Sequence, residues 1–347
     1  MSQVKIKKHL LFNYSKPFIV AEVGINHNGS LKKAFKMIDV AKAAGCTAVK
    51  FQTYKAAELV NDRKLIFNYY SQNKRISEPM LDMFKRYELN NKDWIKIRKY
   101  CDKKRIIFFS TPQNLSDLKL LDKLGIPAIK VGSDDFTNID LIKSYSKFNK
   151  VLILSMGMSS ERDIKNILSI RGLNKKKLIF LICTSQYPTP YKDVNLKKIH
   201  NLKKILGDIP IGFSDHTQDN IASIMAVSLG CCFFEKHFTL NNNFKGPDHW
   251  FSLNPVQLKS WVKAIKFAHT SMGSSRLCPT HLELKNLKSF RRKIVIKNKV
   301  KIGQVLNRGD FVFKRVSDKK AVDSSQIYKI VGSKAKKNYK PGDVFKI

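Results

Sequence analysis

The chain has 347 residues, 43% of them apolar, with three Trp, 11 Tyr and 22 Phe, so it can bury a large core and is no disordered chain. Its formal charge of +38 comes from 65 Lys and Arg against 27 Asp and Glu, with the lysines spread along the whole length. Without an arginine-rich, aromatic-interleaved strand, that charge reads as a solvated lysine surface rather than a nucleic-acid footprint, though a few of the cations suit an anionic substrate.

No apolar run approaches the roughly 20 residues that span a bilayer. The N-terminus, MSQVKIKKHLLFNYSKPFIVAEVG, is basic but lacks an apolar h-region and a small-residue cleavage site. Six cysteines include no CxxC pair and fall mostly within apolar runs, as reduced thiols do. A soluble cytoplasmic protein is expected.

In chain order, β-type runs occur at PFIVAEVGI (17–25), AVKFQTY (48–54), IIFFSTP (106–112), AIKVGS (128–133), VLILSMG (151–157), LIFLICTS (178–185), IPIGFSDH (209–216) and CCFFEKHF (231–238). Each is followed by a polar, amphipathic segment that suits a helix. Near-continuous apolar strands belong to parallel sheets buried on both faces. Eight such strand–helix units predict an α/β fold, a (β/α)8 TIM barrel over residues 1–270. A doubly wound open sheet is the alternative, but no GxGxxG follows the first strand. Residues 271–289 read as a linker. Residues 290–347, with turn signals at KIGQ, NRGD and KPGD, read as a small, mostly β domain.

In such a barrel the chemistry sits at the C-terminal strand ends. The first strand carries Glu22, followed by Asn26 and His27; the second carries Lys50 and Gln52. Ser110 and Thr111, then Lys130 and Ser133, then Ser155 end the next three. Thr184, Ser185 and Tyr187 follow the sixth, where Cys183 is also open to reading as a nucleophile. Ser214, Asp215 and His216 end the seventh, and Glu235, Lys236 and His237 the eighth. Single serines at strand ends commonly bond local backbone. All eight endings being polar points to one converging site. Lysines within apolar strands need buried carboxylates or an anionic ligand, and with the hydroxyls they suit phosphate and carboxylate oxygens. His216 and His237, on neighbouring strands, are structural histidines, general acids or two ligands of one divalent ion; the spacing leaves these open.

The pieces AEVGINHNGSL, AVKFQTY, FFSTP, IKVGSDD, LSMGMSS, CTSQYPTPYKDVNL, IGFSDHT, FFEKHFTL and GPDHWFSLNP together resemble the sialic acid (nonulosonate) synthases. Those enzymes condense phosphoenolpyruvate with an N-acylated hexose. The tail, with RRKIV and IGQVLNRGDFVFKR, is similar to the family's antifreeze-like SAF domain. The resemblance implies that Lys50, Thr111, Lys130, Ser133, Ser155, Ser185 and Ser214 hold phosphoenolpyruvate. It implies that His216 and His237 bind a divalent metal, usually Mn2+ with Mg2+ or Co2+ as alternatives. Glu22, Gln52, Tyr187 and Asp248 would surround the sugar, and Arg315 would reach the partner's barrel in a domain-swapped homodimer. Glu22, Lys50 and Glu235 are the candidate catalytic groups. Acceptors consistent with the resemblance are N-acetylmannosamine and, alternatively, a 2,4-diacetamido-trideoxy hexose leading to legionaminate or pseudaminate. More remote readings are a synthase of shorter sugar acids, a Schiff-base aldolase using Lys50 or Lys130, and a non-catalytic polyanion-binding protein.

Several segments depart from the family pattern. ICTSQ puts Ser185 where relatives carry asparagine, STPQN replaces STPFD, and KRVSD lacks the usual proline and glycine after Arg315. In GPDHWFSL, Trp250 either selects a deoxygenated acceptor or packs outward on the barrel.

Overall fold

A computed structural model of the chain describes residues 3–346. The chain divides into two compact units, Met1–Gly273 and Ser274–Ile347. The first opens with an antiparallel pair, β1 (Val4–Ile6) and β2 (His9–Leu11). Val4, Ile6 and Leu11 are buried in the main core. Asn13 and Tyr14, just beyond, bond to the backbone of Ile209, Ile211 and Gly230. Those partners precede or begin strands, so the hairpin covers the N-terminal end of the barrel. Its three-residue strands are too short to leave a periodic signal.

The strands that follow are β3 (Phe18–Gly24) and β4 (Ala48–Thr53), then a separate antiparallel hairpin of β5 (Ile66–Ser71) and β6 (Lys74–Pro79). After it come β7 (Ile107–Pro112), β8 (Ala128–Val131), β9 (Val151–Ser155), β10 (Leu178–Ile182), β11 (Ile211–Ser214) and β12 (Phe233–His237). Strands β3, β4 and β7 to β12 pair in parallel in that order and close on themselves, β12 against β3. All eight are the runs expected from their apolar character. Strands β3, β9 and β10 are buried along their whole lengths, inside the layer of helices.

The connecting helices start where the sequence places side-chain caps. Ser30 accepts from Lys33 N ahead of Leu31–Ala44, which ends at Gly45 with φ +84°. Ser160 with Asp163 and Asn254 with Gln257 form capping boxes for Glu161–Leu168 and Pro255–Met272. Inside the barrel, Phe233 stacks on Phe18 at 5.3 Å and meets Phe109 at 6.4 Å. Strands β7 and β12 are not neighbours, so this last contact crosses the barrel interior. It makes an apolar floor under the polar C-terminal end.

The hairpin β5–β6 is an insertion that the sequence reading passed over, because its strands are largely polar and exposed. It is anchored by Tyr69 in a small core with Ile25, Tyr54, Leu81 and Tyr87. Glu78 on β6 accepts from the Tyr69 hydroxyl and from the Arg86 guanidinium, each at 2.5 Å. Burial pushes the Glu78 carboxyl up, but these two donors outweigh it and hold it below the ordinary value of 4.5. A depressed carboxyl stabilises the fold above its unfolded-state pKa and loses that contribution as pH falls through the folded value. Hydrogen exchange across 66–79, corrected for intrinsic rates, should therefore speed up below about pH 4.5 while the barrel strands stay protected. Glu78→Gln should show fast exchange at every pH; a pH step that survives this substitution would assign it to another group.

The second unit pairs β13 (Lys293–Ile296) antiparallel with β14 (Phe311–Lys314). Its core gathers Ile294, Ile296, Leu306, Phe311, Tyr339 and Phe345. The segment 271–289 contains helical residues. Helix Pro255–Met272 runs past residue 270, and His281–Phe290 is a second helix started by a Thr280–Glu283 capping box. The Gly, Ser and Pro of GSSRLCPT dominate the composition of the stretch, and they mask the T-x-x-E signal just behind them.

Candidate active site

Side chains alternate along a strand, so residues two apart share a face. On β4, Lys50 and Gln52 face a cavity at the C-terminal mouth while Phe51 turns outward onto Trp94. Ser214 and His216 face the same cavity, as do Glu235 and His237 from β12. Thr111, Lys130, Ser133 and Ser155 line it from β7, β8 and β9 or the turns after them. Ser185 and Tyr187 follow β10, Glu22 lies on β3, and Asp248 enters from the loop after β12. The cavity holds about 960 Å³. The barrel residues assigned to substrate, sugar and metal thus line one cavity, whereas Asn26, His27, Ser110, Thr184, Asp215 and Lys236, also at strand ends, do not line it. Arg315 belongs to the second unit, where its Nε donates to Phe290 O at 3.3 Å.

Two buried lysines and two buried carboxylates form the base of the site. Lys50 Nζ lies 3.0 Å from Glu22 Oε1, 3.7 Å from Glu235 Oε2 and 3.2 Å from Thr111 Oγ1. Lys130 Nζ lies 3.5 Å from Glu235 Oε1, which also accepts from Ser214 Oγ at 3.1 Å. Burial raises Glu235, but Lys130 and Lys50 outweigh it and keep the carboxyl low. Burial dominates at Glu22 and, with repulsion from Glu235, lifts it to about 7 against the pull of Lys50. At Lys50 the desolvation cost is overcome by Glu22 and Glu235, leaving its pKa above normal, whereas burial wins at Lys130 and lowers it. Lys50 therefore carries a firmly held positive charge, and Glu22 is the carboxylate poised to gain or lose a proton near neutrality.

Close backbone approach shapes two further parts. A Cβ on Gly157 would collide with Ser185 Oγ and lie 2.6 Å from Ser133 Oγ and 3.0 Å from Cys183 Sγ. Ser133 Oγ accepts from Gly157 N at 3.0 Å, so three small polar side chains converge on this glycine. Gly24, at φ +51°, sits where β3 shifts register against β4. A Cβ there would be 3.4 Å from Glu22 Oε1, 3.6 Å from His237 Cε1 and 3.7 Å from Asp248 Oδ2. Glycine at that point lets the chain turn within the site.

The rings of His216 and His237 lie 5.7 Å apart. His216 Nδ1 faces Thr184 O at 2.7 Å, which makes Nδ1 the donor and leaves the Nε2 lone pair on the other side of the ring. His237 Nδ1 is buried without a hydrogen-bond partner, 4.0 Å from Asp248 Oδ2. Burial lowers His216 to about 4 and drives His237 well below the ordinary value, so both are neutral at pH 7. Burial also lifts Asp248 to about 7. Two neutral imidazoles, one with an orphaned buried nitrogen, fit a borderline divalent ion. Among the described residues no group of three or more His, Cys, Asp and Glu side chains is placed to hold one. The remaining positions around such an ion would fall to water and substrate. His27, by contrast, accepts from Gly29 N at 3.1 Å inside its own turn.

An aromatic wall runs outward from the histidines. Phe251 lies 5.4 Å from His237 and 5.1 Å from Tyr187, Trp250 packs on Phe251 at 5.8 Å, and Tyr70 of the hairpin meets Trp250 at 5.6 Å. Trp250 thus lines the cavity rather than packing outward. Gly246 N donates to Ser71 Oγ and Gln72 Nε2 to Asn243 O, tying the hairpin to the loop that carries Asp248 and Trp250. No signal in the sequence links residues 66–72 to this loop; the contact exists only in the fold.

The NeuB family profile matches residues 37–276. The N,N'-diacetyllegionaminic acid synthase of Campylobacter jejuni is 34% identical, over 95% of this chain and 99% of that protein. Human N-acetylneuraminate-9-phosphate synthase is 30% identical, over 91% of this chain and 88% of that protein. The crystal structure of an N-acetylneuraminic acid synthetase from Leptospira borgpetersenii superposes with a TM-score of 0.73 at 30% identity, covering 82% of this chain and 95% of that one.

Proposed function

The chain belongs to the NeuB family, and we propose that its acceptor is a 2,4-diacetamido-trideoxy hexose. It is a phosphoenolpyruvate-dependent transferase that forms a C–C bond to an N-acyl hexose, giving a nine-carbon 2-keto sugar acid and phosphate. The observation that carries the choice of acceptor is the wall of Phe251, Trp250 and Tyr70 beside His237. A sugar with a 6-deoxy methyl and a second acetamido methyl presents apolar groups to such a wall, whereas N-acetylmannosamine presents hydroxyls.

In this reading the donor's phosphate and carboxylate take their bonds from Lys50, Lys130, Thr111 and the hydroxyls of Ser133, Ser155, Ser185 and Ser214. Lys50 pairs with Glu22 and Lys130 with Glu235. An arriving polyanion favours proton uptake by Glu22, already raised to about 7, which frees Lys50 for the ligand. The enol C3 attacks the aldehyde carbon of the open-chain sugar, and the aldehyde oxygen becomes a hydroxyl by gaining a proton. Water adds at the electron-poor C2 and gives up a proton. The C–O bond to phosphate then breaks, the C2 hydroxyl passes its proton to the departing phosphate, and the ketone forms. Glu22 is placed to carry one of these protons. Glu235 keeps its charge and fixes Lys130 and Ser214. Gln52, Tyr187 and Asp248 line the acceptor side.

A divalent metal, which we take to be Mn2+, would be held by His216 and His237 and would polarise the aldehyde. The small C-terminal unit is read as an SAF domain exchanged within a homodimer, which brings Arg315 to the N-acyl group in the partner's barrel. Six free cysteines suit a reducing, cytoplasmic compartment; no helix of the described residues is long and apolar enough to cross a membrane.

The test mixes the protein, phosphoenolpyruvate and Mn2+ with a panel of N-acyl hexoses and follows phosphate release and product mass. Turnover confined to the diacetamido sugar is expected; a preference for N-acetylmannosamine would overturn the acceptor assignment and leave the reaction class intact. Trp250→Ala should raise KM for the preferred acceptor about tenfold, the equivalent of ~1.4 kcal/mol, with KM for phosphoenolpyruvate unchanged.

A further inference from the structure

Residues next to the two histidines in sequence point to the opposite side of the strands, and there they form a closed polar network. Lys236, between Glu235 and His237, turns away from the cavity and is 2% exposed; Asp215, between Ser214 and His216, is 0% exposed. Lys236 Nζ lies 2.9 Å from Asp215 Oδ2, 3.2 Å from Thr217 Oγ1 and 2.8 Å from Asp219 O. Asp215 Oδ1 accepts from Thr217 N and Oγ1 at 2.9 and 2.7 Å, and Oδ2 also accepts from Ser223 Oγ at 2.6 Å. Trp261 Nε1 donates to Ser223 Oγ at 2.8 Å from the long helix Pro255–Met272. Backbone pairing continues the join, with Asp215 N donating to Glu235 O at 2.8 Å.

We propose that Asp215 and Lys236 are positioning residues for the two-histidine centre, fixing the separation and aim of His216 and His237 by clamping the ends of β11 and β12 from behind. The argument is geometric. Strand β11 ends at Ser214, so His216 stands beyond the last ladder residue, with its backbone O accepting from Thr189 N at 2.8 Å and its ring held at Thr184 O. Neither contact ties it to β12; the Lys236 ammonium does, holding both the residue before His216 and the loop after it, up to Asp219. Each oxygen of Asp215 is fully used, which leaves the carboxylate one orientation. A buried ion pair of this kind is poor evidence of stabilisation, since apolar residues often replace such pairs without loss. Its retention directly behind two candidate ligands is explained if it serves their placement.

This inference rests on the metal reading of the histidines, and one experiment separates the two. Mn2+ affinity of the full-length chain is measured by electron paramagnetic resonance titration, alongside melting temperature without metal. The variants are His216→Ala, Asp215→Asn, Lys236→Met and Ser223→Ala. Asp215→Asn and Lys236→Met are expected to weaken Mn2+ binding about 10- to 100-fold, with phosphoenolpyruvate affinity in metal-free protein unchanged. Ser223→Ala keeps the ion pair and removes one donor, so it gives about a threefold loss and carries the test if the charge variants do not fold. A lowered melting temperature with Mn2+ affinity within twofold of the wild type would reduce the network to a structural role and overturn the proposal. Equal, weak Mn2+ binding by the wild type and His216→Ala would overturn the metal reading and the proposal with it.

Discussion

Lys50→Met is expected to lower kcat/KM for phosphoenolpyruvate by about a thousandfold, the equivalent of ~4 kcal/mol of transition-state stabilisation. Lys50 is 4% exposed and sits between Glu22, Glu235 and Thr111, with its charge held firmly by the two carboxylates. Methionine keeps most of the stem and its packing but removes the ammonium. The loss is larger than one ordinary hydrogen bond for two reasons. The site is enclosed, so a cation aimed at donor oxygens is little screened. The substitution also takes from Glu22 the cation that pulls its pKa down most and leaves Glu235 paired with Lys130 alone, so Glu22 rises further. The fall should appear in both kcat and KM, because donor and developing charge are held by the same group. Substituting Lys50 also tests the Schiff-base alternative: an aldolase intermediate would be trapped by borohydride in the wild type, and none is expected. A loss under tenfold in a variant that melts like the wild type would remove Lys50 from the site chemistry.

Much of this arrangement was legible in the sequence because a parallel barrel writes itself in two regular signals. Strands buried on both faces stay apolar, and their C-terminal ends turn polar together. Glu22, Lys50, Lys130, Ser155, Ser214 and Glu235 each break an apolar run at its end, and all of them face the cavity. What escaped was whatever depends on contacts between distant segments. The hairpin β5–β6 is a mostly polar insertion whose Tyr70 acquires meaning only when it meets Trp250. The pairing of Lys236 with Asp215 was equally hidden, since both were counted as strand-end polar groups facing the site. Period-two alternation puts them on the other face, and applying it residue by residue would have separated them. In the stretch 271–289 the helix was hidden because breaker residues set the composition while the Thr280–Glu283 box starts the helix.

His216→Ala and His237→Ala are each expected to lower kcat by about a thousandfold or more at micromolar Mn2+, and chelation by EDTA should bring the wild type to the same level. The protonation states separate the ligand role from the acid–base role. His216 lies near 4 and His237 well below its usual value, so neither is an imidazolium with a second proton to give at neutral pH. A histidine acting as general acid would need the opposite environment, a neighbouring carboxylate outweighing burial. Here burial is the dominant cause at both rings, and a lone pair held without a proton is what an ion requires. The two substitutions should differ in rescue. Thr184 O already fixes His216 through Nδ1, so its loss removes a ligand and its anchor together and millimolar Mn2+ should restore little. His237 has no such anchor, and its Nδ1 is unpartnered. With the neighbouring Asp248 carboxylate 4.0 Å away and able to turn toward the vacated space, His237→Ala should recover more activity as Mn2+ is raised. Wild-type turnover that survives exhaustive EDTA treatment would sink the ligand role for both histidines, whatever the variants do.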